Sequence, residues 1–338
     1  MKIMKKYISL LVVAIIAIFS SCTNDEIEIT HATTIKVNPS GVIAPFNFEL
    51  EAGELESFES GCKLRVRVLA YNEQGVLCSQ NEQYLTNYAG LANCNLSLSN
   101  GTYRVIAITD VVDTNAGVKY PEYWKLSGIE NLSTTRLTDA GSVGGQNKIL
   151  GVASKSVNIT DGENSYTLNP EPVGALCLVW MRNMLHYSGI TQFDIDMNRT
   201  SDFLEFSNDG TFTPAIDNNN GEYDWILCRF NRDDSWNNLY DYYFVLPMKN
   251  VSFRASVLKN DSWLSNIAQE QTINLEAGVE YGIILDLYDT ESTQTNNVSF
   301  EVGALTSTRS VTSIKEFTVN DYNAGTLYLK DIDESKIK

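Results

Sequence analysis

From Lys63 onwards the chain alternates. Leu64, Val66, Val68 and Ala70 fall on one side of a period-two pattern, with Lys63, Arg65, Arg67 and Leu69 on the other. That is the signature of a half-buried strand. Asn72-Glu73-Gln74-Gly75 then supplies turn chemistry and Val76-Leu77-Cys78 begins a return strand, so this stretch predicts a β-hairpin. Its three basic residues place their face against solvent or acidic neighbours. A second hairpin is predicted from Asn95 to Ile108, where Leu96 and Leu98 alternate into Asn100-Gly101 and Tyr103, Val105 and Ala107 alternate after it. One short helix is predicted between Gln80 and Leu91.

A comparable series returns in the second half. Val251 to Leu258, the polar turn Lys259-Asn260-Asp261-Ser262 and Trp263-Leu264 parallel the first hairpin. Thr272 to Leu287, with Gly278 at its turn and Tyr281 opening its second strand, parallels the segment 95–108. Two copies of one order of elements predict two related units rather than a solenoid. The boundary is placed at Leu168-Asn169-Pro170-Glu171-Pro172, where two prolines within three residues interrupt pairing before a fresh apolar run, Gly174 to Met181. The tail from Tyr288 to Lys338 is strand-like and polar, and is expected to complete the second unit or to donate a strand to a partner. The expected fold is all-β: two tandem antiparallel β-sandwich domains, residues 49–170 and 171–338.

Ahead of them stands a segment of another kind. Lys2, Lys5 and Lys6 precede an apolar run from Tyr7 to Phe19, and Ser20-Ser21 precede Cys22. A basic start, a short apolar stretch and small residues make a secretion signal, and the run is shorter than the roughly 20 residues of a membrane-spanning helix. With Cys22 followed by Thr23-Asn24-Asp25-Glu26, it resembles the bacterial lipoprotein signal, in which the cysteine becomes the lipidated first residue. Asp25 and Glu26 further resemble the surface-export signal of Bacteroidetes lipoproteins. Residues 1–21 are therefore expected to be a signal peptide, and 22–48 a lipidated tether and first strand.

Charge narrows the partners. Losing residues 1–21 removes three lysines and no acid, so the formal charge falls from −17 to −20. Nucleic acid is excluded as a partner by the lack of a basic footprint. Beyond Cys22 there remain Cys62, Cys78, Cys94, Cys177 and Cys228, an odd number that cannot form a complete disulfide framework. The spacing of the first three suggests adjacent strands and leaves one bridge open, against the reading that they are small buried hydrophobes. The two histidines, His31 and His186, and the lack of any Cys-x-x-Cys argue against zinc. No cofactor or catalytic set is predicted: His186 near Asp194 and Asp196 is ordinary loop chemistry, and no nucleophile elbow or phosphate-binding glycine loop occurs. Asp194-Ile195-Asp196-Met197-Asn198 begins like a calcium loop, but Arg199 stands where glycine is needed, and a strand fits equally well. Aromatics between Tyr223 and Tyr243, interleaved with Asp and Asn, offer Trp225, Trp236 and Tyr240 as glycan contacts, or else as core.

Together the lipoprotein signal, the strand-and-turn Val66 to Gly75, the Leu-x-Leu-x-x-Gly-x-Tyr phrase at 96–103, and Phe244-Val245-Leu246-Pro247 leading to Val251-Ser252-Phe253 resemble the fimbrillin superfamily of Bacteroidales. The resemblance implies two transthyretin-like sandwiches and a non-enzymatic role in surface fimbriae as stalk, tip or anchor. It further implies fimbrial subunits as partners through strand exchange or edge pairing, the outer membrane through acyl chains, and a host protein or glycan in adhesion. Stalk subunits of that family lose a lipidated N-terminal strand by cleavage after arginine. Here no arginine lies between Cys22 and Leu64, and Arg65 sits inside an expected core strand. The chain therefore resembles the anchoring subunits most, although cleavage at Lys36 would offer another release.

Overall fold

The computed structural model describes residues 29–46, 61–114, 122–140, 148–182, 190–198, 201–215, 225–231, 239–265, 267–287 and 298–304. Strands in the first half are β1 (Thr30–Val37), β2 (Cys62–Tyr71), β3 (Leu77–Leu85), β4 (Ala92–Ser99), β5 (Gly101–Asp113), β6 (Trp124–Ser127), β7 (Arg136–Asp139), β8 (Gly151–Ile159), β9 (Asn164–Leu168) and β10 (Glu171–Pro172). The second half has β11 (Ala175–Arg182), β12 (Ile190–Met197), β13 (Phe203–Phe206), β14 (Phe212–Ala215), β15 (Trp225–Asn231), β16 (Leu239–Val245), β17 (Met248–Lys259), β18 (Ser262–Ser265), β19 (Gln271–Leu275), β20 (Glu280–Leu287) and β21 (Val298–Ala304). Helical structure among the described residues is limited to short 3-10 turns. The all-β expectation holds.

Five sheets result. Sheet I runs β4-β1-β9 and sheet II β10-β8-β5-β2-β3; sheet III runs β16-β11-β20-β21 and sheet IV β15-β12-β17-β18, with β19 also on β17. The small sheet V, β14-β13-β7-β6, combines strands from both halves. Sheets I and II enclose one core, with Ile35, Val37, Val66, Val68, Leu96, Leu98 and Val105 at its centre. Sheets III and IV enclose another, containing Cys177, Val179, Phe193, Ile195, Val251, Phe253 and Ile283. A third core joins the halves. It takes Leu69, Tyr71, Ile106 and Ile108 from sheet II, Leu176, Leu178, Trp180 and Phe244 from sheet III, and Leu137, Leu204 and Phe206 from sheet V. Trp124 meets Phe244 edge-on across it, with ring centroids 6.4 Å apart.

Sheets II and III are thus covered on both faces, which is why Gly174 to Met181 reads as an unbroken apolar run. It also resolves the basic face of β2. Arg65 and Arg67 are buried, and of the two expected surroundings the acidic one holds. Arg65 makes paired bonds to Asp110, Nε to Oδ1 at 3.1 Å and Nη2 to Oδ2 at 2.7 Å, and its Nη1 reaches Glu122 at 2.9 Å.

The predicted hairpins divide into two kinds. β2 and β3 pair antiparallel around Asn72–Gly75, as do β17 and β18 around Asn260-Asp261, both at positive φ. The segment around Asn100-Gly101 is not a hairpin, however. β4 pairs with β1 in sheet I, whereas β5 pairs with β2 and β8 in sheet II. Gly101, at φ 150°, turns the chain from one layer of the sandwich to the other instead of folding it back. The parallel phrase behaves alike: β19 joins β17 and β20 joins β11 and β21. Tyr281 secures that crossing, its hydroxyl donating to Asn274 O at 2.9 Å and accepting from Glu276 N at 3.1 Å.

The repeat exists in a different register from the one the sequence suggests. β1 is antiparallel to β4 and parallel to β9; β11 is antiparallel to β16 and parallel to β20. β2 lies between β3 and β5, as β12 lies between β15 and β17. The counterpart of the β2–β3 hairpin is therefore β12 and β15, not β17 and β18. The expected helix between Gln80 and Leu91 is also replaced, by β3 up to Leu85 and a turn: alternating half-buried and exposed residues give β3 a strand's period. Val298 to Ala304 adds β21 to the edge of sheet III, so this part of the tail completes the second sandwich. Among the described residues, no disulfide joins the five cysteines. Burial pushes Cys94 up to about 11 and Cys177 up to about 12, so both are packed as hydrophobes.

Candidate functional site

The first described strand, β1, and the slot that holds it lie next in sequence to the segment expected to be a tether. β1 alternates polar and apolar residues, so Thr33, Ile35 and Val37 turn inward and are fully buried while Lys36 turns out. Eight residues of β1 pair with β4 and five pair, in parallel, with β9. It is therefore a central strand, bonded on both sides. Asn38 ends it: its N–H continues the ladder to Leu168 O at 3.0 Å, and its side chain accepts from Ser40 N at the following turn.

The outer flanks of the slot are closed by side chains. From β3, Asn81 and Gln83 donate to Asn95 O and Asn93 O of β4 at 3.2 and 2.5 Å, and Ser79 accepts from Ser97 N at 3.4 Å. From β8, Lys155 reaches Thr167 O of β9 at 3.3 Å. These contacts use edge groups that an incoming strand would otherwise pair with.

A protease binds its substrate as an extended strand, so accessibility depends on backbone pairing rather than on the side chain alone. The Lys36 side chain is exposed, but its backbone lies in the middle of a three-stranded sheet. Arg65 is buried in a strand paired on both sides. Digestion of the folded chain with a Lys- and Arg-specific protease should therefore leave the bonds after Lys36 and Arg65 intact, as read by mass spectrometry of the fragments. Rapid cleavage after Lys36 would contradict the seating of β1.

The other predicted positions are dispersed. Cys22, Trp236 and His186 lie outside the described residues. Trp225 opens β15 in sheet IV, while Tyr240 lies on β16 in sheet III, so the two glycan candidates occur on different sheets. Tyr242 and Tyr243 are core residues. The Asp194–Asn198 run is strand, and its groups are engaged. Asp194 receives both Nε and Nη2 of Arg229, at 2.9 and 2.5 Å. Asp196 receives Arg254 Nη2 at 3.1 Å and the Ser256 hydroxyl at 2.7 Å, and Asn198 accepts from Ser252 N. Two guanidinium groups occupy the place of a cation, and the bond it donates to Asp194 raises the Arg229 guanidinium above its ordinary range.

Two features escaped the sequence reading. Trp263, foreseen only as part of a return strand, is 46% exposed with Arg229 5.4 Å above its ring. The turn between β13 and β14 also overhangs sheet II and borders a cleft lined by Arg104 and Asp209. Their positions in sequence carry no shared spacing.

No protein-family model matches the chain, and no curated protein matches it. Solved structures do. A candidate adhesin from Bacteroides ovatus is similar at 9% identity and a TM-score of 0.47, over 82% of this chain and 96% of that one. A candidate polysaccharide-binding protein from Bacteroides thetaiotaomicron is similar at 11% identity and a TM-score of 0.46, over 81% and 98%. The fimbrial anchor protein Mfa2 from Porphyromonas gingivalis is similar at 12% identity and a TM-score of 0.43, over 81% and 97%.

Proposed function

We propose that this chain is a non-enzymatic, lipid-anchored subunit of a surface fimbrium, held at the outer membrane through Cys22 and terminating the fimbrium at its base. The observation that carries the reading is the seating of β1. A subunit that polymerises by strand exchange needs an open slot with unpaired backbone groups. In this chain the slot is filled by the strand nearest the tether, paired on both sides. No arginine from Thr23 to Leu64 offers a release point.

Reach supports a base position. Seven residues lie between Cys22 and Thr30, and the eight steps from one to the other span about 27 Å at about 3.4 Å each. Acyl chains on Cys22 would hold the first sandwich close to the lipid surface, each buried CH₂ contributing about 0.8 kcal/mol. Growth would then proceed away from the membrane, through surfaces remote from β1.

The test is Cys22→Ala in cells that make the fimbrium. The variant is expected to leave the membrane fraction, and fimbriae are expected to detach or to lose their length control. A variant that stays membrane-bound, or a deletion strain whose fimbriae are unchanged in attachment and length, would overturn the assignment.

A further inference from the structure

A cleft of about 650 Å³ opens where the β13–β14 turn leans over sheet II. Arg104 comes from β5, Ser154 from β8, Glu171 from β10, and Asp209 and Phe212 from the turn and the strand after it. Gly210 brings the turn this close. It has φ 77°, and a Cβ there would lie 2.4 Å from Ser154 Oγ and 2.5 Å from Arg104 Cδ. Only glycine combines that backbone conformation with that approach.

The polar groups in the cleft are fixed but incompletely used. Ser154 Oγ is buried with no hydrogen-bond partner. Among the described residues, no hydrogen bond or ion pair engages the Arg104 guanidinium, whose five N–H donors point in fixed directions. Asp209 Oδ1 accepts from Ser207 Oγ at 2.5 Å, Thr211 N at 3.0 Å and Thr211 Oγ1 at 2.7 Å. Those bonds hold its carboxyl down at about 2, so it is ionised at any physiological pH. Its Oδ2 has no described partner. A buried polar group without a partner is rare in folded proteins, and Ser154 Oγ, beneath the half-buried Arg104 and the exposed Asp209, marks this cleft as a place where something else completes it.

Charge and shape narrow the occupant. One guanidinium and two carboxylates, Asp209 and Glu171, line the cleft, a balance that disfavours an anion. Donors and acceptors both line the cleft, together with the apolar residues Phe212, Pro172 and Val173. Vicinal hydroxyls both donate and accept, and a pyranose ring presents a C–H face to apolar groups. We propose that this cleft binds a short neutral saccharide, whose hydroxyls are shared between Arg104 and Asp209 and whose ring lies against Phe212 and Pro172. The site is independent of the β1 slot and of membrane attachment.

The experiment uses the full chain purified in detergent on an array of neutral di- to tetrasaccharides of galactose, mannose, fucose and N-acetylhexosamine. Their sialylated and sulfated counterparts are included, and hits are titrated by calorimetry. A neutral saccharide is expected to bind saturably, at least tenfold more weakly to Arg104→Ala and unchanged to Trp263→Ala. Ser154→Ala is expected to weaken binding severalfold while its melting curve stays native. Because that hydroxyl has no protein partner, the variant separates ligand loss from unfolding. The proposal fails if no neutral saccharide binds, if the charged counterparts bind more tightly, or if Arg104→Ala with a native melting curve binds as the parent does. It also fails if binding is lost in Trp263→Ala but kept in Arg104→Ala.

Discussion

Replacing Asp110 by asparagine is expected to destabilise the fold by about 3–5 kcal/mol, the range for removing one partner of a buried ion pair. Asp110 lies opposite Arg65 across the β2–β5 ladder and is 0% exposed. Its carboxylate is shared between Arg65 and Arg67, which are 4% and 8% exposed, with Arg67 Nη2 at 3.5 Å from Oδ2. Burial alone would lower the Arg65 guanidinium, but Asp110 and Glu122 hold it above its ordinary range; for Arg67 burial prevails, and it is lowered despite Asp110. Arg67 Nε is buried without a partner, so it has nothing to fall back on. An amide at 110 would leave two guanidinium groups in the joint between the halves, with Glu122 and, acting more weakly on Arg67, Glu82 as the remaining carboxylates. Glu122→Gln should cost below about 1 kcal/mol, because that carboxylate is 42% exposed and water replaces it readily. Urea unfolding separates these outcomes. If Asp110→Asn lost less than about 1 kcal/mol, the network would not be neutralised internally. A triple replacement, Arg65→Met, Arg67→Met and Asp110→Leu, should recover much of the loss, since apolar residues of similar volume often substitute for buried charges without penalty.

That network shows where local pattern stops being informative. The alternation of β2 correctly separates Val66, Val68 and Ala70 from Arg65, Arg67 and Leu69, because strand geometry is local. What covers the second face is a third layer built from residues more than a hundred positions away, such as Leu176 and Phe244. Charge on one face is therefore a sound guide to polarity and a poor one to exposure. The Asn100-Gly101 turn teaches the same lesson. Its residues specify a sharp change of direction, but whether the flanking strands pair or separate into two sheets depends on their other neighbours, β1 and β2. The repeat was visible as similar phrases, yet strand order places those phrases in non-equivalent slots. Arg104 and Asp209 gave no signal at all. Arg104 falls within an expected strand and Asp209 in a stretch with no expected element, and only folding brings residues 104, 154, 171 and 209 around one cleft.

Deleting Thr30–Val37 is expected to abolish folding of the first sandwich as a soluble monomer. Full burial of side chains such as Ile35 and Val37 contributes about 1.5–3 kcal/mol each, a large share of the roughly 5–15 kcal/mol that holds a domain together. The backbone loss adds to this. β4 would lose all eight partners across from β1 and β9 would lose five, leaving two ladders facing an apolar groove. Such a groove associates with other chains, so size-exclusion chromatography should show aggregate where the intact chain elutes as a discrete species. A synthetic peptide of residues 28–38, supplied during refolding, should restore that species, and the same peptide with Ile35→Asp should not. A deleted chain that stays monodisperse with the parent melting temperature would mean that β1 is dispensable. Two further arms bear on the anchor reading. Labelled peptide incubated with the intact chain should not exchange into it, because the resident strand is bonded on both sides. Intact chain that readily took up the peptide would behave as a subunit whose first strand is meant to leave, and the base position proposed from β1 would then be wrong.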